Sequence, residues 1–372
     1  MYNLDKNKIV KEFVNLVEID SVSKNEKKLA NKLKVDLKNL GFKVKEDDTG
    51  EKIGGNTGNI IAELEGEDSL PTILLSAHLD RVTPGKGVKT KIKDGYIYSK
   101  GETVLGGDDV IGIISIIEAV RKLKEENYPY PNLIIILSVA EEIGLLGTKN
   151  LDSSYIKKAD YGIVIDADGN IGKVVNKAPG QKKFNAVIKG KAAHAGMEPE
   201  KGVNAIKIVS HAISEIPVGR IDKETTANIG VIRGGSASNI VPDLVELEGE
   251  VRSHSEEKLK NQSKQMKKIL SDYTEKLNGS IEFDIEQLYR SFEIDENDEI
   301  IKIAKKAAEK TKLPFELASS GGGSDANIFN IKGLSTINLS SAMENVHSTE
   351  ERVQIANLIK LIEYLINIIK TF

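Results

Sequence analysis

Acidic and imidazole side chains collect in this sequence where apolar runs end. His78-Leu79-Asp80 follows Thr72–Ala77, Glu141-Glu142 follows Leu133–Val139, and Asp166 follows Tyr161–Ile165. His347 comes a short loop after Ser335–Leu339. Gly106-Gly107-Asp108-Asp109 directly precedes an apolar segment from Val110 to Lys124. Taken singly, each motif has a plain structural reading. A lone His at a strand end is usually hydrogen-bonded scaffold, an Asp after a strand usually caps a turn, and paired Glu residues suit the first turn of a helix. Together they point elsewhere. Ligands of α/β sheets bind beyond the carboxyl ends of the strands. Carboxylates crowded at one such edge would repel one another and resist desolvation. A divalent metal ion, or two, resolves that repulsion.

Composition narrows the choice of donors. The chain has 372 residues, enough for two domains. It has no Cys, so disulfides, thiolate zinc sites, Fe–S clusters and Cys nucleophiles are excluded. Any metal must sit on Asp, Glu and the five His. Lys and Arg total 52 against 56 Asp and Glu, a net charge of −4 that gives no basic surplus for nucleic acid. The first residues, Met1–Leu16, lack a signal peptide's apolar core, and no apolar run reaches the ~20 residues of a membrane span. The expectation is a cytoplasmic enzyme with neither nucleic-acid nor membrane partners.

Two rhythms position these residues. Helical spacing marks Ile9–Val17 and then Leu29–Leu40, the latter preceded by a Ser23/Glu26 capping box and closed by Gly41. Short buried strands follow at Asn59–Leu64, Thr72–Ala77, Leu133–Val139 and Tyr161–Ile165, with a helix over Val110–Lys124 and a hairpin at Lys93-Asp94-Gly95-Tyr96. Strands alternating with helices predict an α/β fold, a mixed and mostly parallel sheet with helices on both faces. From Gly180 to Leu288 the order changes to strand, helix, two strands, long polar helix, strand. That β-α-β-β-α-β order predicts a ferredoxin-like unit. The first rhythm then resumes with helix Asp298–Thr311, strands Phe315–Ala318 and Ser335–Leu339, and helix Glu351–Ile369. The expected domains are therefore 1–179 with 289–372 for the metal site, and an inserted lid over 180–288.

These motifs resemble, in order and over essentially the whole chain, the metal-site motifs of the di-zinc exopeptidases related to glutamate carboxypeptidase, aminoacylase and peptidase T. The tripeptide aminopeptidase branch is the nearest in pattern. His78-Leu-Asp80, Gly-Gly-Asp108-Asp109, Glu141-Glu142-Ile-Gly-Leu-Leu-Gly147, Asp166 and Asn-Val-His347 carry the likeness, and His194-Ala-Gly-Met-Glu-Pro resembles the segment opening that family's dimerisation domain. The resemblance implies two Zn2+ per subunit, with Co2+ or Mn2+ as substitutes. It makes Asp108 the shared ligand, His78 and Asp166 the rest of one site, and Glu142 and His347 the rest of the other. It implies Glu141 as general base, Asp80 as the carboxylate behind His78, and a cis peptide after Asp108. It further implies that His194 polarises the scissile carbonyl, that Arg252 and Asn239 meet the substrate, that Gly322 and Gly323 belong to a glycine-rich loop beside it, and that the lid forms a homodimer.

Elementary chemistry agrees with this division. Two metals share a water and lower its pKa toward ~7. Glu141, expected on extended backbone, would point away from its neighbour Glu142 and stay free to move the proton. Asp80, two residues after His78, would share its side of the strand. Competing motifs are absent or weak: there is no HExxH, GxSxG or GxxxxGK[ST], and Gly321–Ala326 is only faintly like a dinucleotide loop. Outside the metal set, His211 reads as a surface or interface residue and His254 as a helix cap. The expected activity is removal of the N-terminal residue from short peptides, tripeptides above all. An N-acyl amino acid deacylase or carboxypeptidase on the same site is the alternative, with Asp rather than Glu at 166 favouring the aminopeptidase. A non-catalytic binding relative would be expected to lose ligands or the base, and none is lost here.

Overall fold

The computed structural model describes residues 2–372. The chain divides into two compact units, Met1–Lys177 with Glu293–Phe372, and Ala178–Phe292. No described helix is long and apolar enough to cross a membrane.

The larger unit is built on a nine-stranded sheet. Its order is Lys43–Glu46, Ile60–Leu64, Leu133–Ser138, Ile73–His78, Tyr161–Ala167, Thr336–Ser340, Lys173–Ala178 and Phe292–Glu293, with Glu316–Ser319 also beside Lys173–Ala178. Ile73–His78 runs parallel to both its neighbours, and Thr336–Ser340 runs parallel to Tyr161–Ala167. The strands Leu133–Ser138, Ile73–His78 and Thr336–Ser340 are buried at every residue. That is why they read as unbroken apolar runs rather than alternating ones. The helix Gly107–Glu125 is buried against this sheet, and Ile355–Ile369 is buried in turn against that helix and against Glu299–Thr311. Each fully buried Leu or Ile side chain contributes roughly 1.5–3 kcal/mol. Register matters most for function. His78 pairs with Ser138, and Asp166 follows Val164, the residue paired with Ser76. The carboxyl ends of three adjacent parallel strands therefore lie side by side.

Several local expectations need correction. The Ser23/Glu26 box does not form: Glu26 occupies the cap position without a side-chain cap bond. Its Oε1 instead accepts the N–H groups of Lys24 and Ala140, and Ser23 Oγ donates to Asp80 Oδ2. The Asp94-Gly95 turn has positive φ at both residues, as a two-residue hairpin requires. Its strands, Thr90–Lys93 and Tyr96–Ser99, join a second, four-stranded sheet with Arg352–Gln354 and Met343–Glu344. His347 therefore sits on a hairpin loop, and the last helix begins at Ile355 rather than Glu351.

The smaller unit is an antiparallel sheet in the order Gly219–Arg220, Thr225–Gly234, Leu244–Ser253, Gly180–Lys189, Ser280–Tyr289. The helices Ala205–Glu215 and Glu256–Lys276 pack on it around Phe184, Ile188, Val209, Leu247, Leu259 and Met266. Asn204 and Ser255 cap these helices, each accepting from a backbone N–H three residues on. Ser255, not His254, is thus the cap of the long helix.

Candidate metal centre

Asp108 is the meeting point of two imidazoles. Its Oδ1 lies 2.9 Å from His78 Nε2, and its Oδ2 lies 3.3 Å from His347 Nε2. His78 Nε2 is also 3.7 Å from Asp166 Oδ1, and His347 Nε2 is 3.0 Å from Glu142 Oε2. All five residues that the sequence singles out as ligands therefore face one place. Among the described residues, two groups bring ligand atoms within 4.8 Å of one another: His78 with Asp108 and Glu142, and His78 with Asp109 and Asp166. His347 joins through Asp108 and Glu142. The donor set is oxygen and imidazole nitrogen, which suits zinc and its first-row neighbours.

The local chain explains the convergence. Gly106 is left-handed, the Asp108–Asp109 peptide is cis, and regular helix begins only after Asp109. Ala140 is left-handed as well, and Glu142 enters a turn. Glu141 and Glu142 thus diverge because of a turn, not because of the extended backbone expected. Gly147 closes this segment where no side chain fits: a Cβ there would stand 2.3 Å from the Val139 carbonyl oxygen. His347 is left-handed and half exposed on its loop, whereas His78 is buried.

Charge in the cluster is strongly perturbed. Burial opposes ionised Asp108, but the His347 and His78 imidazoles outweigh it and hold the carboxyl far below its usual range. Burial and the neighbouring Asp108 charge push Asp166 up to about 7, against the His78 hydrogen bond. Burial, then Asp166, raises Glu141 and Asp109 well above ordinary values. Hydrogen bonds to Asp108 and Glu142 raise His347 to about 10. Burial would lower His78, but Asp108, Asp166 and Asp80 together raise it well above normal. Carboxylates outnumber imidazoles here, and a bound cation would supply the positive charge that balances them.

A cavity of about 400 Å³ opens on this cluster and is also lined by Glu141, Asp168, Lys173, Asn338, Met343 and the Ser319–Ser324 loop. Gly322 and Gly323 are on that wall. Ser324 both lines the cavity and caps the helix Asp325–Ile331. Glu141 belongs to neither ligand group. Asp80 differs from expectation in how it acts. The nearer acceptor for His78 Nδ1 is the Asp80 carbonyl oxygen at 2.9 Å, with the carboxylate at 3.6 Å. The carboxylate takes the N–H groups of Glu141 at 2.8 Å and Glu142 at 3.3 Å.

In the smaller unit, His194 is exposed, and its Nδ1 accepts the N–H groups of Gly196 and Met197. The neutral ring therefore carries its proton on Nε2. Asn239 lies alongside, its carbonyl accepting from Ala195 N–H. The Arg252 guanidinium is engaged by Glu250 of its own strand, through Nε at 2.9 Å and Nη2 at 3.1 Å. His211 stacks on Tyr273. Sequence reasoning overlooked Asp109 as a donor. It also overlooked the buried Asp325, which accepts from Ser138 and Thr148 hydroxyls, and Glu351, buried beneath the Gly106–Asp108 segment. No short motif marks Asp325 or Glu351, because their partners are distant in sequence.

Comparison with known proteins finds relatives among peptidases. The family description "Peptidase dimerisation domain" matches residues 176–278, and "Peptidase family M28" matches residues 59–203. The uncharacterised protein YqjE of Bacillus subtilis is 43% identical over 99% of both chains. Peptidase T of Clostridium botulinum is 24% identical over 98% of both. Among solved structures, the aminopeptidase PepT of Bacillus cereus is 42% identical with a TM-score of 0.91, covering 99% of both chains. A tripeptidase of Staphylococcus aureus is 38% identical with a TM-score of 0.95, covering 99% of this chain and 98% of its own. The chain belongs to the M20 family of metallo-exopeptidases, in the group of the PepT aminopeptidases and tripeptidases.

Proposed function

We propose that the protein is a di-zinc aminopeptidase that hydrolyses the N-terminal bond of short peptides, tripeptides above all. The observation that carries this reading is the position of Glu141. It is buried and lines the same cavity as His78, Asp108, Glu142, Asp166 and His347, yet stands outside both ligand groups. In this reading Asp108 is the shared ligand, His78 and Asp166 complete one position, and Glu142 and His347 complete the other. When bound, the two ions supply a polarised water and a Lewis acid for the peptide carbonyl.

The chain's own residues do the rest. Glu141 accepts the proton of the attacking water on its carboxylate and returns it to the leaving amine. Asp80 fixes the backbone that aims Glu141. His194 presents Nε2–H toward the developing oxyanion. Arg252 and Asn239 meet the far end of the peptide, and the Gly322–Gly323 backbone lines its path. Residues 180–288 form a ferredoxin-like lid through which two copies pair, consistent with the dimerisation-domain match.

The deciding experiment supplies the metal-loaded enzyme with a tripeptide of three different residues, free or N-acetylated. Release of the first amino acid from the free peptide alone is expected. Release of the last residue, or equal action on the acetylated peptide, would overturn the aminopeptidase reading.

A further inference from the structure

Glu351 is buried, yet no substrate or metal role falls to it. Its Oε2 accepts Gly106 N–H at 2.8 Å and its Oε1 accepts Asp108 N–H at 3.1 Å. The intervening Gly107 N–H points to the same carboxylate. Three successive amides thus converge on one side chain. Such a clamp tolerates little else: a Cβ on Gly107 would meet Glu351 Oε1 at 3.1 Å and Val353 Cγ2 at 2.7 Å. On the other side, a Cβ on Gly106 would stand 2.7 Å from the Arg81 guanidinium, itself buried.

The clamp joins two segments that are 243 residues apart in sequence. One is the strap that ends in Asp108. The other is the hairpin between Met343–Glu344 and Arg352–Gln354, which carries His347. His347 itself is half exposed and touches the rest of the cluster only through Asp108 and Glu142. Its loop therefore has an exposed tip and a buried root, and Glu351 is the root.

We infer that Glu351 is a positioning residue for the metal centre: by clamping the Gly106–Asp108 amides it sets the distance between Asp108 and His347. The metal position built from Asp108, Glu142 and His347 depends on that clamp. The position built around His78 and Asp166 depends on it less, because only its shared Asp108 hangs on the strap, whereas His78 and Asp166 follow adjacent parallel strands. Glu351 touches neither metal nor substrate. This inference rests on the two-position reading given above.

The test is a Co2+ titration of the metal-free protein, followed by visible absorption, with bound metal counted after dialysis. Wild type, Glu351→Gln and Glu351→Asp are compared. Tyr364→Phe serves as control; it removes a buried hydrogen bond to Ala304 and none to the strap or the cluster. The expected result is two equivalents for wild type and control. The Glu351 variants should keep the first equivalent and weaken the second by about ten- to a hundredfold. If Glu351→Gln is insoluble, Glu351→Asp, which keeps the charge but shortens the reach, carries the comparison. Two equivalents of unchanged affinity in a folded Glu351 variant would overturn the inference, as would equal weakening of both. A single equivalent in wild type would instead overturn the two-position reading itself.

Discussion

The Asp80 carboxylate lies 2.8 Å from the backbone N–H of Glu141, nearer than it lies to the His78 ring. Its main task is therefore to hold the turn that separates Glu141 from Glu142. Glu26 assists by accepting from Ala140 N–H. Asp80→Ala is expected to lower kcat by about ten- to a hundredfold. KM should change little, since Asp80 reaches no part of the cavity. Steady-state kinetics on metal-saturated protein measure this, and a change confined to KM would count against it.

Glu141 and Glu142 should separate cleanly under substitution. Glu141→Gln should retain both metals and lose about 10²–10⁴-fold in kcat, the usual worth of a general base. Glu142→Ala should lose metal first, because it leaves His347 and Asp108 without their third partner. Metal analysis alongside turnover makes the distinction, and parallel metal loss in both variants would contradict it.

Stability of the metal-free protein should fall as pH rises. Asp166 titrates near 7 when folded, above its unfolded value, so its protonated form favours the fold and ionisation between about 4 and 7 removes that stability. His347, raised to about 10, stabilises fully below its unfolded pKa and loses that contribution as pH climbs toward 10. Both effects have the same sign. Metal reverses the trend, because its ligands must be deprotonated. Melting temperatures with chelator should therefore decline from pH 5 to 9, while the rise on adding Zn2+ grows. A chelated protein more stable at pH 9 than at pH 6 would refute this.

Mixed dimers test the proposed lid histidine. His194→Ala and Glu141→Ala should each be nearly inactive alone. If His194 serves the neighbouring subunit, exchange in an equal mixture should restore about a quarter of the sites, because about half of the dimers are mixed and each has one intact site. Recovery is measured by activity after mixing, with exchange proven by tagged copies. Exchange without recovery would confine His194 to its own subunit.

Some of this was legible in the residues and some was not. His78, Glu142 and Asp166 were readable because they follow apolar runs, whose ends parallel strands place together. Asp108 at a helix start and His347 on a hairpin loop were readable only through the motifs that carry the family resemblance. The hairpin at Asp94-Gly95 was readable because its turn chemistry is local. Ser23 and Glu26 misled for the opposite reason: their spacing fits a cap, but long-range partners at Asp80 and Ala140 took both side chains. Glu351 looked like a helix start, and only the folded hairpin shows its carboxylate beneath a glycine strap. The Glu141–Glu142 turn was missed because a left-handed Ala140 leaves no trace in sequence.

Thr336–Ser340 enters the sheet between Tyr161–Ala167 and Lys173–Ala178 although it comes from the far end of the chain. Long-range pairings of this kind are slow to form. On a ribosome, the segments carrying His78, Asp108, Glu142 and Asp166 emerge well before the hairpin bearing His347 and Glu351. A growing chain can thus offer an early, incomplete set of donors but not the finished pair of positions. The five-residue cluster is therefore completed only in chains translated past that hairpin.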